Sequence, residues 1–296
     1  MRVVSLVPAA TEIAHALGAT NDLVAVTHDC DWPPEVRALP RVTRSTIAVG
    51  ATSREIDDAV RTAVANDDST FHLDAHALAA ARPDLLLGQT LCHVCAVTVA
   101  QLPATLDPAP EVVPLDGGSL EGIFEDIRRV GAALGRHPQA DAVVASLEAR
   151  IAVVRALVAD APRPSVICLE WLDPLFNAGH WVPEQIAIAG GVDQLGEPGV
   201  PSIDVATDRL FEADPEFLFL LPCGFDAARA VRESAGLRAH PRWTELRAVR
   251  DGHVWALDGN AYFSRPGPRV VDGIELLASI LHPDRVRSRI HGVHLT

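Results

Sequence analysis

The sequence predicts an α/β protein of two lobes, each a parallel β-sheet wrapped by helices, joined by one long helical bridge. Three observations carry this. Short β-branched runs alternate with helix-period segments early in the chain, the alternation resumes after Pro162 and Pro164, and residues 119–160 between them read as helix almost throughout. Alternation of this kind implies parallel sheets covered on both faces, and such sheets place ligand loops at the carboxyl ends of their strands. At 296 residues the chain exceeds what one core usually serves. The expected division is an N-terminal lobe over 1–118, a bridging segment over 119–161 and a C-terminal lobe over 162–296.

Taken in order, strands are expected at 3–7, 23–27, 84–88, Glu111–Leu115, 165–169, 217–221 and 253–257. The 84–88 run is apolar and ends in Gly88, as a buried parallel strand does. A helix over 11–17 starts near Thr11 and stops at Gly18. A second covers Ser53–Ala65, with Ser53 as N-cap and Ile56, Val60 and Val64 on one face. In the bridge, Ile123, Ile127, Val130 and Leu134 form one stripe, and Val143, Val144, Leu147, Ile151, Val154 and Leu157 a second, interrupted at 135–138. Helices at 185–190, 227–235 and Val270–Leu281 complete the chain. A stiff bridge packed along both lobes is expected to limit their closure to a modest rocking motion.

Charge narrows the function. The net charge is −14, and all 25 basic residues are Arg. Nucleic-acid binding needs a basic face, so it is excluded, and the absence of Lys excludes a Schiff-base or phosphate-loop lysine. No apolar stretch approaches the roughly 18 residues of a membrane span, so no membrane insertion is expected. The first strand begins at once, without the charged and apolar regions of a signal peptide. The chain as written is therefore expected to remain cytoplasmic, and to be periplasmic or lipid-anchored only if an N-terminal signal has been removed. Five cysteines, an odd number, point to free thiols or metal ligands rather than a disulfide framework.

Four strand-end loops carry the candidate chemistry. The first holds His28, Cys30 and Trp32, and the second Gln89, Cys92, His93 and Cys95. Cys30, Cys92 and Cys95 with nearby imidazoles form half a zinc motif, able to hold zinc or iron; the alternative is that they pack or line the cleft. The third loop places Trp171, Phe176, His180 and Trp181 within a short stretch of a chain only 5% aromatic. Rigid aromatic walls suit a large, flat, partly apolar ligand, although Trp171 and Phe176 also read as core residues. His180 reads equally as a hydrogen-bonded junction residue. The fourth loop holds Tyr262, Phe263 and Arg265, the last suited to a ligand carboxamide or carboxylate. Gly224 would let the backbone approach a ligand closely. No G-x-S-x-G, G-x-x-x-x-G-K, G-x-G-x-x-G or H-E-x-x-H signature is present.

The opening Ser5-Leu6-Val7-Pro8-Ala9-Ala10-Thr11-Glu12, the Arg82-Pro83-Asp84-Leu85-Leu86 run, the long midpoint helix and the late Pro-Arg turn resemble the cobalamin-binding receptors of ABC importers. The segments 91–96, 170–184 and 259–269 look most like a branch of that family that often lacks an export signal. The resemblance implies two Rossmann-like lobes bridged by a helix, the class III or helical-backbone metal-receptor form of substrate-binding protein, with a corrinoid held between aromatic side chains. Cys92-His93-Val94-Cys95 stands where exported receptors commonly offer an aromatic loop. The resulting expectation is a protein, more a binder than an enzyme, that takes cobalamin, another corrinoid or a related tetrapyrrole or metal chelate in the cleft between its lobes, with His28 or His180 as an axial ligand of cobalt. An ABC-transporter permease is the expected partner if the chain is exported. The competing expectation is a cytoplasmic metal- or thiol-dependent enzyme acting on a small molecule in the same cleft.

Overall fold

The computed structural model describes residues 1–90 and 106–295. The chain forms two compact units: Met1–Ala51 with Glu55–Ser146, and Thr52–Arg54 with Leu147–Thr296. Unit 1 runs β1 (Val3–Ser5), α1 (Pro8–Ala16), β2 (Leu23–Ala25), β3 (Thr43–Ser45), α2 (Ser53–Ala65, whose first two residues belong to unit 2), β4 (Phe71–Leu73), α3 (Ala75–Ala81), β5 (Leu85–Gln89), β6 (Glu111–Leu115) and α4 (Leu120–Ala133). The helix α5 (His137–Val158) contains the boundary between the units.

The unit 1 sheet has the order β2-β1-β5-β6, and every pair is parallel. Its central strand β5 is buried along its whole length, which is why Leu85, Leu86 and Leu87 need no polar alternation. Each such side chain contributes on the order of 2 kcal/mol of burial. Thr43–Ser45 and Phe71–Leu73 add an antiparallel pair that the apolar pattern did not announce, because its exposed faces carry Arg and His. Ser119 caps α4 by accepting the Gly122 N–H at 3.1 Å. Ser53 differs from expectation: it is the first residue of α2, and its N–H and hydroxyl both donate to one oxygen of Glu233, at 2.9 and 2.8 Å. Val64, expected on a packed face, is 60% exposed. In α5 the buried stripe Val144, Leu147, Ile151 and Val154 continues to Val158, four residues on, and leaves Leu157 exposed.

Unit 2 runs β7 (Ser165–Leu172), β8 (Leu175–Asn177), α6 (Val182–Ile188), β9 (Val192–Asp193), α7 (Thr207–Ala213), β10 (Phe217–Leu220), α8 (Ala227–Glu233), α9 (Ala235–Arg238), α10 (Arg247–Arg250), β11 (Val254–Ala256), α11 (Gly259–Tyr262), α12 (Val270–Leu281) and β12 (Val293–Leu295). Its sheet order is β12-β11-β10-β7-β8. The β7·β10 and β10·β11 pairs are parallel, and the first residues of β7 also pair in parallel with β9. The edge strands β8 and β12 run antiparallel. The parallel core therefore reads β9-β7-β10-β11. In both units the first strand has its successor on one side and the later strands on the other. The strand order reverses there, and ligands of open α/β sheets bind outside the carboxyl ends of the strands at that point.

Candidate functional site

In unit 2 the reversal lies between β7 and β10, so the residues at their carboxyl ends, Glu170 and Trp171 beside 221–225, define the candidate surface. Backbone bonds tie these segments together. Cys223 N–H donates to the Glu170 carbonyl at 3.0 Å, and Asn260 N–H donates to the Phe225 carbonyl at 3.1 Å. Gly259 must be glycine for this approach, since a Cβ would fall 2.3 Å from the Pro222 carbonyl oxygen. The expected loops after β7, β10 and β11 therefore meet.

Aromatic rings occupy that surface. Trp171 opposes Phe176 across the β7·β8 ladder, which puts both rings on one face. The Trp171 ring lies 5.2 Å from that of Phe225, over which the Arg229 guanidinium sits at 3.7 Å. The Trp171 indole N–H donates to the Ser53 carbonyl at 3.2 Å. Trp171, Phe176 and Tyr262 are each half-buried, which leaves ring surface available, whereas Phe225 and Phe263 are buried. Gly224 is exposed with φ +74°, and nothing crowds the position of its missing Cβ.

The polar groups are held as firmly. Arg265 is 6% exposed and donates to Asn260 Oδ1 at 2.9 Å. Asp258 caps α11 through the Ala261 N–H, and burial raises its pKa while Arg269 and Arg265 oppose the rise. Arg269 lies 5.7 Å over the Tyr262 ring. His180 has φ +54°, a conformation fixed by its N–H donating to Val200 O at 2.7 Å and its carbonyl accepting from Gly199 at 2.8 Å. Burial lowers its pKa, so the imidazole is neutral near pH 7. Its ring stacks on Trp181, which is itself buried with an indole N–H that lacks a partner among the described residues.

In unit 1 the reversal lies between β1 and β5. His28 accepts or donates through Nδ1 to Thr43 Oγ1 at 2.7 Å, stacks on Phe71 at 5.5 Å, and has Nε2 3.3 Å from the Asp29 carboxylate. These residues with Leu6, Pro8 and Thr27 line a cavity of about 10 Å³. Cys30 is buried with Sγ 3.0 Å from Thr11 Oγ1 and 3.1 Å from Thr27 Oγ1. Trp32 packs edge-on against His15, and Gln89 is buried at the end of β5. Cys92, His93 and Cys95 lie outside the described residues. Among the described residues, no group of three or more His, Cys, Asp or Glu side chains is arranged to hold a metal ion. Cys30 is placed in a hydroxyl cage instead. Thr43, Phe71, Phe225 and Asn260 belong to these surfaces without having been singled out from sequence. Phe71 and Thr43 sit on the unannounced β3·β4 pair, while Asn260, one residue after the Asp258-Gly259 helix start, was within reach of a capping argument.

The family described as periplasmic binding protein matches residues 3–261. The chain belongs to that family. The Vitamin B12-binding protein of Vibrio cholerae is 25% identical over 283 residues, covering 95% of this chain and 88% of that one. An uncharacterized ABC transporter substrate-binding lipoprotein, YvrC of Bacillus subtilis, is 22% identical over 96% of this chain and 80% of its own. Among solved structures, the periplasmic haem-binding protein RhuT of Roseiflexus sp. RS-1 superposes with a TM-score of 0.69 at 24% identity, covering 95% of this chain and 98% of that one. The periplasmic vitamin B12-binding protein BtuF of Vibrio cholerae superposes at 0.65 with 22% identity, covering 95% and 96%. These likenesses establish the two-lobed α/β fold of this class. Neither the family nor the lipoprotein relative supports the expectation of a cytoplasmic protein. Among the described residues no helix is long and apolar enough to cross a membrane.

Proposed function

We propose that this chain binds a tetrapyrrole-type macrocycle, a corrinoid of the cobalamin kind in preference to haem, and delivers it to the permease of an ABC importer from outside the cytoplasmic membrane. The observation that carries the choice of corrinoid is the B12-binding relative matched over nearly the whole chain. The unit 2 surface supports a flat, partly apolar ligand. Trp171, Phe176 and Tyr262 offer ring area, and Arg265 is an anchored cation near it. His180, neutral and half-buried, and His28 are the imidazoles able to coordinate a central metal of the ligand.

Calorimetric titration with cyanocobalamin, aquocobalamin and hemin tests this. Saturable heat with a corrinoid is expected, with a shifted visible spectrum of aquocobalamin if an imidazole reaches cobalt. Heat with hemin alone would move the assignment to haem, and neither heat nor co-elution with any of the three would overturn it. The competing enzyme reading, a metal or thiol site at Cys30, Cys92 and Cys95, gains no support from the hydroxyl cage around Cys30. Near-stoichiometric zinc or iron lost on Cys92→Ser would restore it.

A further inference from the structure

Gln185 is fully buried on α6, one helical turn after Trp181. Its Nε2 donates to two carbonyl oxygens on separate segments, Tyr262 O at 3.2 Å and Val270 O at 2.7 Å. Among the described residues its Oε1 has no hydrogen-bond partner. Burying an amide with one oxygen unpaired costs stability that an apolar side chain of the same shape would not, and the rest of the inward face of α6 is Val182, Pro183, Ile186 and Ile188. Core packing alone therefore does not account for a glutamine here. The neighbouring backbone is also shaped to meet it. Residue 273 of α12 is glycine, and a Cβ there would fall 2.7 Å from Tyr262 O and 2.8 Å from Gln185 Nε2. The turn from Tyr262 to Arg265 is thus clamped between α6 and α12 by one amide.

We propose that Gln185 is a positioning residue, whose paired donations to Tyr262 O and Val270 O fix where Tyr262 and Arg265 stand on the binding surface. Gln185 is too deeply buried to touch a ligand and acts through the turn alone. The consequence for affinity rests on the reading of that surface as the macrocycle site; the consequence for the turn does not.

Tyr262 is the only tyrosine of the chain, so its ring gives a single assignable NMR signal. Gln185→Met keeps the length of the side chain and removes both donors. In the ligand-free protein it should shift and broaden the Tyr262 ring signal with the far-ultraviolet dichroism retained. Affinity for cyanocobalamin should fall about tenfold, as expected when a preorganised turn is freed. Gln185→Glu, which keeps one donor when protonated, should fall between the two, and it carries the test if the Met variant does not fold. An unmoved Tyr262 signal in either folded variant, with only a lower melting temperature, would overturn the positioning role. If the parent itself fails to bind cyanocobalamin, the proposed function fails, and the Tyr262 signal still decides the role of Gln185.

Discussion

In unit 1 the parallel core runs β2-β1-β5-β6 and in unit 2 it runs β9-β7-β10-β11, so the same reversal of order recurs in each. The side chains delivered to the two reversal points differ in kind. Unit 1 brings hydroxyls, a thiol and an imidazole that bond to one another, Thr11 and Thr27 to Cys30 and Thr43 to His28, while His28 Nε2 is buried 3.3 Å from the Asp29 carboxylate. The cavity beside them, about 10 Å³, holds no more than a single water. Unit 2 brings half-buried rings, with the Trp171 indole tied to Ser53 and the buried Arg265 tied to Asn260. A shared strand order fixes where a site can be, and the loops then decide what it can hold. The proposed macrocycle reading rests on the half-buried rings of unit 2.

The sharpest way to break this comparison is to truncate one residue on each side. Trp171→Ala removes the ring flanked by Phe176 and Phe225, and central aromatic anchors of this kind cost about 2–3 kcal/mol, so cyanocobalamin affinity should fall about 30- to 150-fold. His28→Ala should cost less than about tenfold, because its ring is already engaged by Thr43 and Phe71. A His28 loss exceeding that of Trp171, measured by the same calorimetric titration, would reverse the assignment. It would identify an imidazole–metal bond as the dominant contact.

A second substitution sharpens the unit 1 half of the comparison. Cys30→Ala deprives two buried threonine hydroxyls of a partner, and should lower stability by about 1 kcal/mol. The urea midpoint should drop while ligand affinity stays within about twofold, since Cys30 is buried. A large affinity loss with an unchanged midpoint would show that Cys30 is part of the binding surface.

Period and punctuation made most of the framework legible. The run Leu85-Leu86-Leu87-Gly88 announces a central strand because a strand buried on both faces has no polar residues to hide, and the stripes at 123–134 and 143–157 announce α4 and α5, although Leu157 at the end of the second is exposed. The loops were found because parallel strands must end at the same side. What stayed hidden was non-local. β3 and β4 are three residues each, too short for a period, and pair across 25 intervening residues. The edge strands β8 and β12 add antiparallel pairs that alternation of strands and helices cannot signal. The repeated strand order leaves no sequence repeat, because it is set by which strands pair and not by which residues they contain. The sequence marks Gln185 only as the start of a helix, and its two carbonyl partners lie 77 and 85 residues away.

A pH-dependent effect is expected at the fourth core strand of each unit, where an aspartate whose pKa is raised by burial stands near a glycine that permits close backbone approach. After β11, Asp258 precedes Gly259; after β6, Gly117 lies so near α4 that a Cβ would fall 2.8 Å from the Ile123 nitrogen. In unit 1 the aspartate comes from α4: Asp126 accepts N–H bonds from Asp116 at 3.1 Å and Gly117 at 2.9 Å, and pairs with Arg129 at 2.7 Å. Burial raises both carboxyls, and for Asp126 it outweighs the Gly117 bond and Arg129, placing the pKa at about 6 against its ordinary 3.8. A folded pKa above the unfolded one means that folding takes up a proton. The stabilising contribution is full below 3.8 and is lost as the pH rises through about 6. Asp126→Asn fixes the neutral form and removes this slope, although it also gives up the ion pair with Arg129. The slope is therefore the quantity to compare. Urea midpoints taken from pH 4 to pH 7 should show parent stability, relative to the Asn variant, declining across that window. A relative stability that instead rises with pH would mean that Arg129 and the two N–H donors hold the carboxylate more strongly than burial opposes it.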